Sequence, residues 1–126
     1  MSGRPVRGKI RRVVIVIVDA QIHGLSGTAD ELVRIVNEYV SALVDAEGCL
    51  SVAASTPLHG DLGELILTTR WTGEQAMQAH YASPDYSRYV EDASALLARP
   101  SDVRISYVER DIVPVDDPSL DPTRQG

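Results

Sequence analysis

Six consecutive β-branched residues, Val13–Val18, constrain the fold of this chain more than any other feature of its sequence. A strand with one face in water alternates apolar and polar residues, whereas an unbroken aliphatic run is typical of a strand buried on both faces. The run is too short to span a bilayer, and it ends at Asp19 without a signal-peptide cleavage pattern. It therefore predicts a buried strand of a sheet and not a membrane or export segment.

Length and charge set the broad class of the protein. A chain of 126 residues supports one domain with one core, which we place at 11–113, between a basic tail at 1–10 and a second tail at 114–126. Residues 1–12 carry five bases and no acid, whereas the rest carries seven bases and 18 acids. Because this acidic body repels phosphate backbones, we expect no nucleic acid partner. The single cysteine, Cys49, excludes an internal disulfide and favours a cytoplasmic protein.

Hydrophobic spacing predicts the order β-α-β-β-α-β, which is the ferredoxin-like arrangement of the α+β class. The predicted sheet is antiparallel and four-stranded, with the first and third strands in the centre and helices on one face. Capping boxes at 28–31 and 72–75, Gly48 as a C-cap and Ser83 as an N-cap predict the helix ends. The predicted elements are strands at Val13–Val18, Leu50–Thr56, Gly63–Trp71 and Val103–Val113, and helices at 32–46, 76–80 and 84–97.

Two helices cover only one face of a four-stranded sheet, and this chain has no third layer. The first strand is apolar on both faces, and the last strand carries Val103, Ile105 and Tyr107 opposite Val108 and Ile112. The second face therefore needs a cover. We predict a homodimer in which two sheets pack face to face.

The aromatic residues indicate where a ligand could bind. The chain has no Phe, and four of its six aromatic residues lie within nineteen positions, beside Arg70 and His80: Trp71, Tyr81, Tyr86 and Tyr89. Tyr and Trp offer flat apolar surfaces with a polar tip, which suits a planar phenolic ligand in a pocket between sheet and helices. The alternative is that they are core residues whose polar tips reach the surface. Asn37, at the edge of an apolar helix stripe, is either a residue of the pocket rim or a solvated one.

Other polar residues carry weaker signals. His23 follows the first strand, His59 and Asp61 lie in a turn, and Cys49 follows a helix C-terminus, where the helix dipole disfavours a thiolate. We interpret all of them as structural. Because the sequence has no metal-binding or phosphate-binding motif, we predict neither a metal nor an organic cofactor.

The segment WTGEQAMQAHYASP, residues 71–84, resembles the antibiotic biosynthesis monooxygenase family, and Glu47-Gly48-Cys49 resembles its turn after the first helix. The resemblance covers roughly residues 11–113 and implies a dimeric α+β barrel. It also implies oxidation of a phenolic polyketide by O₂ without metal or flavin, the substrate being the reductant. In that case Trp and Tyr would orient the ring, and His80 or Arg70 would stabilise the anion.

Two departures from the family separate this chain from specific members. Leu67 and Met77 stand where anthrone-oxidising members have Asn and Tyr, and Val90 stands where haem-degrading relatives have a His. We therefore keep three hypotheses: a cofactor-independent monooxygenase-like enzyme acting on an aromatic small molecule, an isomerase or cyclase using the same pocket, and a non-catalytic ligand-binding or partner protein. The predicted catalytic residues are His80, Trp71 and Tyr86, and the predicted substrate-binding residues are Arg70, Tyr89, Asn37, Met77 and Leu67.

Overall fold

The computed structural model describes residues 11–57 and 63–112. The predicted tails at 1–10 and 114–126 lie outside these ranges, as do His59 and Asp61 of the predicted turn. The described residues form a sheet in the order β2-β3-β1-β4 with every neighbouring pair antiparallel. The elements are β1 (Arg11–His23), α1 (Ala29–Val44), β2 (Cys49–Ser55), β3 (Glu64–Trp71), α2 (Glu74–Tyr81), α3 (Pro84–Ala93), a 3₁₀ turn (Ser94–Leu96) and β4 (Asp102–Ile112).

The ferredoxin-like fold and the central position of the first and third strands are confirmed. The first strand is longer than predicted, because it continues to His23, which pairs with Glu64 of β3. Asp19 does not end the strand. Its carboxylate lies on the face away from the helices, where it accepts a 2.6 Å hydrogen bond from the Thr68 hydroxyl.

The hydrophobic core lies between the sheet and the helices. Alternate residues of β1 and β3 point into it, and Val16 and Trp71 are fully buried. Helix α1 contributes one apolar stripe at helical spacing, as the sequence predicts. The core residues of α1 are Leu32, Ile35, Val36, Tyr39 and Leu43.

The helix starts that the two capping boxes and Ser83 imply are correct to within one residue, but two of the three predicted N-caps are wrong. Thr28 precedes α1, yet its hydroxyl donates to the carbonyl of Leu25 at 2.6 Å and caps no helix N–H. Gly73, not Thr72, precedes α2. Ser83 does cap α3, since its hydroxyl accepts from the backbone N–H of Tyr86 at 3.4 Å.

Gly48 is not the C-cap of α1, which ends at Val44 with Asp45 in that position. Its φ of +81° lies in the left-handed region, and a Cβ there would stand 2.4 Å from the Cβ of Ala76. Glycine is therefore needed where the α1–β2 turn approaches α2. The last predicted helix is also too long, because α3 ends at Ala93 and a 3₁₀ turn follows.

The helices do not reach across the whole sheet. On β4 the side chains that face the helix side remain about half exposed: Val103, Ile105 and Tyr107. The opposite face of the sheet carries further aliphatic residues, among them Ile15, Ile17 and Val108, and no described element covers it.

Candidate functional site

The structure brings the predicted aromatic residues together and adds one that the sequence analysis did not single out. We call this group the aromatic cluster; its members are Tyr39, Trp71, His80, Tyr81, Tyr86 and Tyr89. Tyr39, on α1, stacks nearly parallel on Tyr89 of α3, with ring centroids 4.3 Å apart. The Trp71 ring packs beside His80 at 5.1 Å. The cluster thus joins β3 to all three helices.

Local structure explains this convergence. Trp71 ends β3 on its buried face, and its indole N–H donates to the Thr69 hydroxyl at 2.9 Å. The break at Ser83-Pro84 starts a second helix, on which Tyr86 and Tyr89 lie three residues apart and so share a face.

A hydrogen bond between Tyr39 and His80 is the central polar contact of the cluster. The Tyr39 hydroxyl oxygen and His80 Nε2 are 2.6 Å apart, and each residue is only 6% exposed. With the ring proton on Nδ1, the tyrosine O–H donates to Nε2; in the other tautomer Nε2–H donates to the tyrosine oxygen.

Burial keeps this pair uncharged at neutral pH. It raises the pKa of Tyr39 far above its ordinary value, and neighbouring tyrosines add to the effect. Burial also lowers the pKa of His80, against a smaller opposing effect of the Asp85 carboxylate. The imidazole is therefore a neutral base in contact with a neutral phenol.

A cavity of about 280 Å³, which we call the inner cavity, lies against the cluster. Four tyrosine rings form one side, and the remaining lining is aliphatic except for Ser101. The residues that line it are Ala20, Ile22, Tyr39, Leu67, Tyr81, Tyr86, Tyr89, Ser101, Val103 and Ile105. None of them is acidic or basic, and burial raises the pKa of Tyr81 and of Tyr89 to about 12. The inner cavity therefore suits an uncharged aromatic molecule.

A second, more open depression of about 630 Å³, which we call the outer groove, lies on the other side of His80. The α1–β2 turn and the starts of α2 and α3 form its walls. Its polar lining includes Glu47, Thr72, Ser83 and Asp85, together with His80 itself. His80 thus lines the outer groove, while its partner Tyr39 lines the inner cavity.

Comparison with known proteins decides the family. The sequence profile of antibiotic biosynthesis monooxygenases matches residues 15–92, which is more than half of the chain. The chain belongs to the antibiotic biosynthesis monooxygenase family. No curated protein matches it.

Solved structures agree with the family fold. A Mycobacterium tuberculosis protein is 25% identical, with a TM-score of 0.67 over 82% of this chain and 97% of that one. A conserved protein from Methanosarcina mazei Go1 is 16% identical, with a TM-score of 0.70 over 75% and 92%. A Nitrosomonas europaea protein described as a candidate antibiotic biosynthesis monooxygenase is 10% identical, with a TM-score of 0.69 over 73% and 88%.

The predicted site residues of this family member fall into three groups. Tyr86, Tyr89 and Leu67 line the inner cavity. His80, Trp71 and Met77 are buried and do not line it.

Two predicted substrate-binding residues lie outside the cluster. Arg70 is exposed, and because side chains alternate along β3 it faces the opposite side of the sheet from Trp71. Asn37 is exposed on α1 and lines neither the inner cavity nor the outer groove. The structure therefore does not bring these two residues into the site.

Tyr39 is the residue that sequence reasoning missed, because in the sequence it is one position of the apolar stripe of the first helix. The available signal was its hydroxyl: a tyrosine within a buried helix stripe needs a hydrogen-bond partner.

His23 is a different kind of buried histidine. It ends β1, with Nδ1 3.1 Å from a Glu64 carboxylate oxygen and Nε2 2.8 Å from an Asp102 carboxylate oxygen. The Arg99 guanidinium lies 3.4 Å from Nε2. These contacts tie together the ends of β1, β3 and β4, which supports its structural interpretation.

The described ranges, 11–57 and 63–112, offer neither a metal site nor a membrane-spanning helix. Within them no group of three or more His, Cys, Asp or Glu side chains is arranged to hold a metal ion. Nor is any helix there long and apolar enough to cross a membrane.

Proposed function

We propose that this protein oxidises a phenolic aromatic small molecule with O₂ in the inner cavity. The observation that carries the proposal is an uncharged cavity walled by four tyrosine rings and aliphatic side chains. Flat apolar walls hold a planar ring, and phenol hydroxyls hydrogen-bond to a phenolic oxygen or its anion. Membership of the antibiotic biosynthesis monooxygenase family supports the same reaction class.

In the proposed reaction the substrate is its own reductant. Loss of the phenolic proton gives an electron-rich anion that passes electrons to O₂. At a ring carbon bearing two hydrogens, one oxygen atom becomes a carbonyl oxygen, and the other leaves as water with both hydrogens. The substrate then supplies all four electrons, so the overall reaction requires no separate reductant.

The lining of the cavity suggests a role for each side chain. Tyr86 and Tyr89 would contact the substrate ring, and Leu67 would pack against its face. Trp71 and His80 would act without lining the cavity, Trp71 by fixing the position of the imidazole. This differs from the sequence-based hypothesis, in which Trp71 and His80 touch the substrate.

The test is oxygen uptake by the purified full chain with anthrones and polycyclic phenols. We expect substrate-dependent uptake that falls about tenfold or more in Tyr86→Phe, because a hydrogen bond to the developing anion is lost. Arg34→Ala is the matched control, since Arg34 is exposed on α1 and, within the part of the chain that the structure describes, its ion pair is with Glu38. Absence of uptake over a broad panel, or an unchanged rate in Tyr86→Phe, would contradict the proposal.

A second candidate is an isomerase or cyclase that uses the same cavity without O₂. It is favoured by Leu67 and Met77, which replace the Asn and Tyr of anthrone-oxidising members, and by the Tyr39–His80 pair, which can move a proton without any oxidant. Strict anaerobiosis separates the two candidates, because only the isomerase continues to form product. A ligand that binds without turnover under either condition would instead indicate a non-catalytic binding protein.

We further propose that the protein is a homodimer whose sheets pack face to face. The support is the sheet face that no described element covers, where Val108 of β4 is 37% exposed near the half-buried Ile15 and Ile17. Association of two such faces would remove this apolar surface from water.

Light scattering tests the dimer. We expect a dimer at micromolar concentration and a shift towards monomer in Val108→Lys, because the lysine would place a charge in the apolar interface. Arg34→Ala, on a helix remote from that face, should remain dimeric. A wild-type monomer would overturn this proposal without affecting the proposed reaction.

A further inference from the structure

We propose that Tyr39 and His80 form a proton relay that connects the inner cavity to the outer groove. The relay rests on the proposed function, because it would remove the proton of a phenolic substrate bound in the inner cavity. The final proton acceptor is His80, which does not line the inner cavity, and the proton reaches it through Tyr39, which does.

The geometry joins two separate spaces through one hydrogen bond. His80 lines the outer groove and not the inner cavity. Tyr39 lines the inner cavity and not the outer groove. It also borders a groove between α1 and α3 that carries Glu38, Asp85, Arg88 and Asp92. The 2.6 Å bond between the Tyr39 hydroxyl and His80 Nε2 connects the inner cavity to the outer groove. Tyr81, Tyr86 and Tyr89 line the same cavity, but no hydrogen bond from their hydroxyls to a base is seen among the described residues.

The step is a proton transfer with no change in oxidation state. The substrate hydroxyl gives its proton to the Tyr39 oxygen while the Tyr39 O–H gives its own proton to Nε2. One substrate O–H bond and one tyrosine O–H bond break, and a new tyrosine O–H bond and an Nε2–H bond form. The result is a phenolate, a neutral tyrosine and an imidazolium, which then releases the Nδ1 proton into the outer groove.

The groups around His80 act in opposite directions on the proton that it receives. Its neighbours on β3, α1 and its own helix are neutral: Trp71, Tyr39 and Tyr81. From α3 it faces Tyr86 and the carboxylate of Asp85, and Glu47 adds a second acid to the lining of the outer groove. Burial disfavours the imidazolium, so the proton is readily passed on to the outer groove, and the negative charge of Asp85 partly offsets this effect. Trp71 packs against the imidazole and holds it in place, so it is a positioning residue.

The test uses 2-naphthol, a two-ring phenol whose neutral and ionised forms have different absorbance. Its ionisation is titrated while it is bound to the full chain under argon, so that oxidation does not interfere. Because burial raises the pKa of a phenol in this cavity, the comparison is between variants: naphthol bound to the wild type should ionise at lower pH than naphthol bound to a variant of Tyr39 or His80. In Tyr39→Phe and in His80→Gln the fraction ionised at a given pH should fall about tenfold, which equals one pKa unit.

The variants separate proton transfer from structure. Gln in place of His80 can still accept the Tyr39 hydrogen bond through its amide oxygen, but it does not take up a proton. Tyr81→Phe is the matched control, because it removes one hydroxyl from the same cavity, at a residue with no assigned contact to the substrate, and leaves the Tyr39–His80 bond intact. Whatever this control does to affinity, we expect the ionisation of bound naphthol to stay within about twofold of the wild type, since less than 0.5 kcal/mol of charge stabilisation is at stake.

Each outcome is informative. Equal ionisation in the wild type, Tyr39→Phe and His80→Gln overturns the relay, and so does a failure of naphthol to bind. An ionisation shift in both variants without any oxygen uptake by the wild type supports the relay and contradicts the proposed oxidation. Oxygen uptake that survives Tyr39→Phe unchanged, with unchanged ionisation, supports the oxidation and contradicts the relay.

Discussion

The two buried histidines of this chain have similar exposure and opposite surroundings. His23 and His80 are 7% and 6% exposed, respectively. His23 lies between the carboxylates of Glu64 and Asp102, with the guanidinium of Arg99 beside it. His80 lies among aromatic rings and shares one hydrogen bond with a phenol. The two sites are on different elements, at the end of β1 and within α2.

The comparison teaches that the partners of a buried histidine matter more than its burial. The carboxylates of Glu64 and Asp102 only accept hydrogen bonds and the Arg99 guanidinium only donates them, so these partners hold the His23 ring between the strands. A phenol can donate or accept, so Nε2 of His80 is able to take or give a proton. His23 therefore links the strands of the sheet, whereas His80 has the kind of partner that the proposed proton relay requires.

The largest effect on stability is expected at Trp71, whose ring packs beside His80. Trp71→Ala should lower the free energy of unfolding by about 3–5 kcal/mol, because a fully buried indole is removed and the space does not close completely. Urea unfolding measures this. Arg70→Ala, next to it on the opposite face, should change the value by less than about 0.5 kcal/mol. Similar losses of unfolding free energy in the two variants would show that Trp71 does not pack tightly beside His80.

The second effect concerns the side-chain hydrogen bond between His80 and Tyr39. Tyr39→Phe should lower the free energy of unfolding by about 1–3 kcal/mol, because a buried ring nitrogen loses its partner. The same unfolding measurement applies, with Tyr89→Phe as the control for the loss of one cavity hydroxyl. A cost no larger than that of the control would mean that water replaces the lost bond.

The third substitution, at His23, should cost less stability, although it removes two side-chain hydrogen bonds. His23→Leu should lower the free energy of unfolding by about 1 kcal/mol, because the Glu64 and Asp102 side chains are 38% and 66% exposed and water rehydrates them. If His23→Leu costs more than Tyr39→Phe, the contrast between a site whose partners are solvated and a site whose partner is buried fails.

The smallest effect is the acid dependence that belongs to His80. Burial lowers the pKa of this imidazole, so below about pH 6.5 the unfolded chain binds a proton that the folded chain resists. The contribution of His80 to the free energy of unfolding is thus highest above that pH, and it decreases as the pH falls towards the pKa of His80 in the folded chain. Urea unfolding at pH 7.5 and 5.5 should therefore show a larger loss in the wild type than in His80→Gln. An equal loss in both would show that His80 is not held neutral.

Much of the fold could be predicted, because local patterns and topology agree. The run Val13–Val18 predicts a buried strand, and β1 is central. The predicted end at Asp19 is wrong because a neighbouring strand supplies Thr68 to its carboxylate, a contact between residues 49 positions apart. Thr28 likewise has the pattern of a cap, but its hydroxyl is already engaged by the carbonyl of Leu25.

The site could be predicted in part. The density of aromatic residues between 71 and 89 correctly indicated where they converge. Arg70 was grouped with them by sequence proximity, yet strand alternation turns it to the other face. Tyr39 was missed for the converse reason, since it is distant in sequence and reaches His80 only because α1 packs against α2 and α3.

The sequence by itself determined the elements, their order and the aliphatic character of the core, because these follow from residue types at short spacing. Only the tertiary structure decided which polar groups meet. Tyr39 and His80 are 41 positions apart in the sequence, as are His23 and Glu64. His23 and Asp102 are 79 positions apart. No local pattern encodes such a contact, because it depends on how helices pack and how strands align. The chemistry proposed for this protein rests on those long-range contacts.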